Sequence, residues 1–233
     1  MAGLLAPAAI SWSGGKDSCL ALLRAREAGV DVRSFVTTCD EGGASKSHAL
    51  PPALIEAQVA AFGGAWWPVR VPERPGAYAE CFDTTLLALA AGGHRQMVFG
   101  DIDLAAHRDW IEPRCAAAGI EALFPLWGEA RSRLAEEVLA RGIRARIVAI
   151  DLARLGPDFA GAEYDAALLA RLPAGVCPCG EEGEFHTVVW QAPGMAHALK
   201  LAPGLPRRVM TAPPLAPAEL MLCTPQLARA APP

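Results

Sequence analysis

Ser13-Gly14-Gly15-Lys16-Asp17-Ser18 is a string whose residue types suit one task, the holding of phosphates. Glycines let the backbone approach an anion closely. A helix opening directly behind them aims its free N–H groups, and the positive end of its dipole, at that anion. Lys16 adds a full positive charge. The string is not a Walker A loop, which needs Gly-x-x-x-x-Gly-Lys-[Ser/Thr]. A bare Gly-Gly-Lys would fit a surface turn. Here it follows an apolar run and precedes an amphipathic segment, with Cys19, Leu20, Leu22 and Leu23 apolar and Arg24, Arg26 and Glu27 polar.

A second constellation lies late in the chain, where residues 176–188 read Val-Cys-Pro-Cys-Gly-Glu-Glu-Gly-Glu-Phe-His-Thr-Val. On a strand over 184–191, Glu184 and His186 share one face and Phe185 and Thr187 the other, with Glu181 in the preceding loop. Such a loop can hold a cationic or amide group, order Mg2+, or supply a base. A solvated acidic turn before an edge strand fits the same composition. Cys177 and Cys179 lack the second pair that a structural zinc needs. They read as small packing thiols, with metal or redox use as the alternative. Cys39 is expected at a strand end facing the cleft. His94 and His197 have no partners by sequence and are expected at the surface. His107 and Arg108 fit a solvated helix face, or a contact to phosphate or acceptor. Trp66, Trp67 and Trp110 are expected in the core, and Trp127 in packing at a domain junction.

The elements that must position these groups alternate. Strands are expected over 5–12, 32–38, 66–71, 96–101, 122–125 and 145–152, and helices over 16–28, 51–62, 77–91, 104–118 and 129–141. Interleaved strands and helices imply right-handed crossovers and a Rossmann-like α/β fold, a mainly parallel sheet with helices on both faces. Ligands bind such sheets beyond the carboxyl ends of the strands. The glycine string sits at such an end, as do Thr37-Thr38-Cys39-Asp40 and Gly100-Asp101-Ile102-Asp103. A boundary near Trp127-Gly128 divides residues 1–127 from a smaller α+β domain over 128–200. Residues 201–233 are rich in proline and are expected to wrap the surface in extended form or stay partly disordered.

Bulk composition narrows the classes. Apolar residues make up 52% of 233, enough for a sizeable core. Formal net charge is -4, so bulk charge gives no nucleic-acid footprint, and only a local patch could hold RNA. Seven cysteines, odd in number and irregular in spacing, fit reduced thiols and a cytoplasmic setting. The apolar start has no basic n-region and reads as a strand rather than a leader, and no run suits a membrane span.

The glycine string resembles the PP-loop, Ser-Gly-Gly-x-Asp-Ser, of ATP pyrophosphatases in the adenine nucleotide α-hydrolase superfamily. With Ser47-His48, Gly100-Asp101-Ile102, Pro125-Leu126-Trp127-Gly128 and Gly180-Glu181-Glu182-Gly183-Glu184-Phe185-His186-Thr187 in order, the chain is similar to the diphthine–ammonia ligase (ATP-dependent diphthamide synthase) family. The matched elements span roughly residues 9 to 200. Two positions depart from the family pattern: Glu182 stands where Asn is common, and Ala49 where Gly commonly follows the histidine. Both bear on the acceptor rather than the nucleotide, and the Ala-, Pro- and Arg-rich composition suggests a GC-rich bacterial genome.

That resemblance implies ATP and Mg2+, cleavage to AMP and pyrophosphate, adenylation of a substrate carboxylate, on a small molecule or a protein, and amide formation with ammonia or an amine. It implies that Ser13, Gly14, Gly15, Lys16, Asp17, Ser18, Gly100 and Asp101 hold the nucleotide, with Lys16 neutralising the leaving pyrophosphate. Ser47, His48, Glu181, Glu184, His186 and Thr187 would face the acceptor; Lys16, Asp17, Glu181 and Glu184 would do the chemistry; and Asp17 or Asp101 would ligate the metal. Asp101 could equally cap a helix or bond the ribose. A homodimer is compatible with all of this. Competing readings are another PP-loop enzyme, in tRNA modification or sulfur transfer, and a non-catalytic adenine-nucleotide sensor.

Overall fold

A computed structural model describes residues 6–211 and 217–228. Five parallel strands form the first sheet: β1 (Ala8–Ser11), β2 (Val32–Cys39), β3 (Ala65–Arg70), β4 (Gln96–Val98) and β5 (Glu121–Leu123), in the order β3-β2-β1-β4-β5. Between them run α1 (Lys16–Glu27), α2 (Pro52–Ala61), α3 (Ala77–Ala91) and α4 (Ala105–Ala117). The expected Rossmann-like class is observed. The two-residue period of β1 sorts its side chains to opposite faces. Ala8 and Ile10 join Leu20, Leu54 and Val98 in one core, while Ala9 joins Phe82, Leu86 and Ile111 in the other. Both faces are covered, as an all-parallel sheet requires. Strand order reverses between β1 and β4, which makes their carboxyl ends a topological switch point.

The chain continues through α5 (Arg131–Ala140), β6 (Arg144–Asp151), α6 (Ala166–Arg171), β7 (Phe185–Gln191), β8 (Leu201–Ala202), β9 (Arg207–Met210), β10 (Glu219–Leu222) and β11 (Gln226–Leu227). The strand expected over 145–152 does not extend the parallel sheet. It is β6, and it builds an antiparallel sheet of order β7-β6-β10-β9. The proline-rich segment is more than a surface wrap: β9 and β10 complete that sheet, and β8 pairs with β11. Pro213, Pro214, Pro232 and Pro233, like residues 1–5 of the first expected strand, lie outside the described residues. The first core cluster runs from α1 and α2 through to Ile147 on β6 and Val188 on β7, so both sheets share one apolar interior.

Two smaller expectations are corrected. Strand β4 stops at Val98 rather than 101, because Gly100 must close onto the glycine string: a Cβ there would lie 3.0 Å from the Ser18 nitrogen. His94 is buried, not at the surface. Its Nδ1 lies 3.1 Å from the Leu89 carbonyl, which can only accept, so Nδ1 carries the proton and Nε2 accepts from Ser34 Oγ at 2.9 Å. His197 is exposed, as expected.

Candidate active site

A cavity of about 630 Å³ opens at the carboxyl ends of β1, β2 and β4. Its polar wall includes Ser13, Asp17, Ser18, Ser47, Asp101 and Glu181. Its apolar wall comes from α3 and α4, with Tyr78, Phe82 and Trp110, and from Phe99 just after β4 and Leu104 just before α4.

The Ser13–Ser18 loop is built by its glycines and serines. Gly14 has φ 83°, the left-handed region that favours glycine, and a Cβ there would meet Gln58 Oε1 and Leu50 Cδ1 at 2.7 Å. A Cβ on Gly15 would run into the His48 ring. The hydroxyls form a closed circuit. Gly15 N–H donates to Ser13 Oγ (3.2 Å), Ser13 Oγ donates to Ser18 Oγ (3.1 Å), and Ser18 Oγ donates to the Gly15 carbonyl (3.0 Å). The first amides of any α-helix lack intrahelical acceptors. At α1, Gly15 N–H uses Ser13, and Lys16 N–H uses Thr187 Oγ1 at 3.1 Å. Asp17 and Ser18, next in the turn, line the cavity. The positive end of α1 therefore points at the cavity.

On the loop's other face, β7 clamps it. Val189 N–H donates to the Gly14 carbonyl at 2.9 Å. Gln58, fully buried on α2, donates to the carbonyls of Gly14 (3.0 Å) and Val189 (2.6 Å) and accepts from Trp12 Nε1 (3.1 Å). His48 Nδ1 donates to the Thr187 carbonyl at 2.8 Å, which fixes its tautomer. His48 and His186 stack at 4.8 Å. Desolvation and His186 push the His48 pKa well down. Desolvation and then the Lys16 charge lower that of His186 to about 4, so both rings are neutral at pH 7.

Lys16 does not line the cavity. Its side chain is 2% exposed and turns toward the antiparallel sheet. The ammonium bonds Asp17 Oδ2 (2.8 Å) and the Cys179 carbonyl, and lies 5.4 Å from the ring centres of Tyr164 and Phe185. Burial alone would lower its pKa, but the charge of Asp17 leads the effects that together raise it, so Lys16 is charged. The reason for this placement is periodicity: position 16 begins the face of α1 that packs on β7, while 17 and 18 turn to the cavity.

Glu184 also departs from expectation. It is fully buried and accepts from the N–H groups of Cys177 (2.8 Å) and Glu182 (2.9 Å), with Arg154 at 3.4 Å. It precedes β7, so it does not share a strand face with His186, and it organises the loop rather than lining the cavity. Glu181 does line the cavity. Burial, then the Asp17 charge, raise its pKa to about 7. His107 Nδ1 lies 2.9 Å from Asp101 Oδ1 at the rim. Arg108 turns away, bonding Glu112 at 2.6 Å and covering the Trp127 ring at 4.9 Å. Cys39 is buried with a raised pKa and lies outside the cavity lining.

The lining holds three carboxylates and neither lysine nor arginine. A polyphosphate there would meet amides and a helix dipole from the protein, with the Lys16 charge behind Asp17. Among the described residues no group of three or more His, Cys, Asp or Glu is arranged to hold a metal. Asp17 and Asp101 instead suit Mg2+ carried by phosphates, which keeps most of its ligands from the nucleotide and water.

Sequence reasoning missed Gln58, Tyr78 and Tyr164, and it expected Trp110 in the core, whereas the ring is half-buried and lines the cavity. Gln58 had a signal, as the lone polar residue on the buried side of α2 with Leu54, Ile55 and Val59. Tyr78 and Trp110 had none, because helix α3 or α4 alone does not reveal which end of the sheet it overhangs.

Fold and cavity together define a doubly wound α/β domain with a cavity at its switch point. Residues 6–122, half of the chain, match the diphthamide synthase N-terminal domain family, and the chain belongs to it. It is similar to a diphthine–ammonia ligase of Schizosaccharomyces pombe, with 25% identity over 219 residues covering 78% of this chain. The chain spans about a third of that relative, 34% of its length.

Proposed function

We propose that the protein binds ATP in this cavity, activates a substrate carboxylate as the acyl-adenylate with release of pyrophosphate, and forms an amide with ammonia or an amine. The observation that carries the reading is that the amide end of α1 and Glu181 of the Gly180–Thr187 element line one cavity. Ser13, Gly14, Gly15, Asp17 and Ser18 cradle the phosphates, and Gly100 and Asp101 flank them. The carboxylate oxygen attacks the α-phosphorus, and the bond to the bridging oxygen of pyrophosphate breaks. The amine then attacks the acyl carbon and AMP leaves. Glu181, with a pKa of about 7, is placed to take the proton the amine gives up. Bound Mg2+, held by Asp17 and Asp101, would neutralise charge on the departing pyrophosphate. Lys16 is a positioning residue that ties the loop to the 177–184 segment through the Cys179 carbonyl. Residues 1–127 supply the nucleotide site and 128–200 the acceptor side. Calorimetry with ATP and magnesium is expected to register binding, and incubation with carboxylate and amine acceptors to yield AMP. Absence of heat would overturn the reading.

A further inference from the structure

The 177–184 turn brings Glu181 to the cavity, and one residue from outside the turn grips it twice. Arg131 opens α5, just past Trp127-Gly128. Its guanidinium donates to both oxygens of Asp103, Nε to Oδ2 at 2.7 Å and Nη2 to Oδ1 at 2.9 Å, and Nη1 donates to Glu182 Oε1 at 3.3 Å. Its carbonyl accepts from Cys179 Sγ at 3.1 Å. Gly128 N–H donates to the Ile102 carbonyl at 2.8 Å, so the same stretch is fastened to the Gly100–Asp103 segment a second time. Glu182 is shared: its Oε2 lies 3.3 Å from Nη1 of Arg154, which follows β6 and reaches buried Glu184 at 3.4 Å. Asp103, Arg131, Glu182, Arg154 and Glu184 thus alternate in charge from the carboxyl end of β4 to that of β6. Glu182 stands where Asn is common in the family, and it lies outside the cavity lining. Asn is neutral and a methylene shorter, so it would not draw two guanidinium groups together. The departure therefore serves this bridge rather than the acceptor.

We propose that Arg131 is a positioning residue, which latches the 177–184 turn to the Gly100–Asp103 segment and so fixes Glu181 against the cavity. The two ends of the latch lie beside the groups that matter. Glu182 is next to Glu181, and Asp103 is two residues on from Asp101, and both Glu181 and Asp101 line the cavity. Among the described residues no hydrogen bond holds the Glu181 carboxylate itself, so the turn sets its place. Single ion pairs this exposed are worth little, with Asp103 38% and Glu182 54% exposed. A two-pronged Arg–carboxylate bond, shared onward through Glu182 to Arg154, is the geometry in which such pairs do hold a segment.

The latch stands apart from the ligase reading; only its effect on turnover rests on that reading. Amide hydrogen exchange of the full chain, followed by NMR, reads the latch. The Cys177 and Glu182 N–H groups bond Glu184 and report on the turn. The Cys177 amide should exchange about fivefold faster in Arg131→Met, Asp103→Ala and Glu182→Asn, with the amides of β6 as in wild type, and the Glu182 amide should follow it in the first two. Asp103 bonds Arg131 and, among the described residues, makes no bond to the turn, so Asp103→Ala should add nothing in the Arg131→Met background. Unchanged exchange in any single variant, equal acceleration in β6, or an Asp103→Ala effect that persists without Arg131 would overturn the latch. In AMP formation, Arg131→Met should lower kcat about tenfold with KM for ATP near wild type, and Arg131→Lys, which keeps the charge but not the fork, should recover part of the loss. Faster exchange with wild-type turnover would overturn the positioning role. A wild-type chain that made no AMP would overturn the ligase reading and the positioning role with it, and exchange would still decide the latch.

Discussion

The two faces of the Ser13–Ser18 loop differ in kind. The face toward β7 is closed: Thr187 and Val189 of β7 and Gln58 of α2 bond it, and His48 bonds the Thr187 carbonyl behind it. The face toward the cavity is open, with helix-start amides, hydroxyls and three carboxylates around about 630 Å³. The difference teaches how a loop facing a cavity can hold its shape through contacts made on its other side. Rigidity is supplied from behind by an edge strand more than 170 positions away, and in front by the hydroxyl circuit of Ser13 and Ser18. Substitutions behind the loop should therefore cost stability and function together, and those in front function alone.

The largest expected effect is behind the loop. Gly14→Ala forces a Cβ into Gln58 and Leu50 at 2.7 Å with φ at 83°, and should destabilise by roughly 3 kcal/mol. Urea unfolding would read it, and an unaltered midpoint would show that the back face is soft. In front, Glu181→Gln should lower amide formation about a hundredfold with an unfolding midpoint close to wild type at pH 6. The sign with pH follows from the raised pKa of about 7. The base form populates as pH rises through 7, so wild-type turnover should climb there and the variant's should not. Stability runs the other way. The native state holds this proton more tightly than the unfolded chain, so its contribution declines between about pH 4.5 and 7. A variant that kept the wild-type climb would assign the base elsewhere.

Lys16 sharpens the comparison because its backbone and side chain both serve the closed face. Lys16→Ala strips the Cys179 carbonyl of its donor and leaves Asp17 unpaired, which should cost about 2 kcal/mol of stability and weaken ATP binding as well. A direct phosphate ligand would behave differently, losing affinity at little cost to the fold. Equilibrium unfolding and calorimetry on one preparation separate the two.

How much of this was legible follows the same division. The parallel sheet could be read from apolar runs punctuated by glycine, and helix α3 appears at Ala77–Ala91 as expected, after left-handed Gly76. Of the antiparallel sheet, β6 and β7 appear close to the strands expected over 145–152 and 184–191, but β9 and β10 could not be read. Its last strands are short, β9 is mostly exposed, and they lie among prolines that argue for coil, so only pairing with β6 defines them. In the site, Ser13 to Ser18 announced a cradle because that geometry is local. The direction of the Lys16 side chain was hidden, since it depends on Cys179 and Tyr164 far along the chain. Glu184 looked like chemistry because carboxylates in a glycine-rich loop do. Its burial against two amides comes from the turn at 177–182, which no spacing rule encodes.

The smallest expected effect lies at the outer rim. Tyr78 is 46% exposed, lines the cavity and packs on Trp110 at a ring separation of 5.6 Å. Being so exposed, it contributes little to folding, and Tyr78→Ala should leave the unfolding midpoint near wild type. Its ring is nevertheless part of the apolar wall available to a bound base, so losing it should weaken ATP binding by about 1 kcal/mol, roughly fivefold. Tyr78→Phe keeps the ring and should bind as wild type does. If Phe proved as weak as Ala, the hydroxyl rather than the ring would make the contact. If neither changed affinity, the nucleotide would sit wholly against the strand ends, and the helix wall would be free for the acceptor.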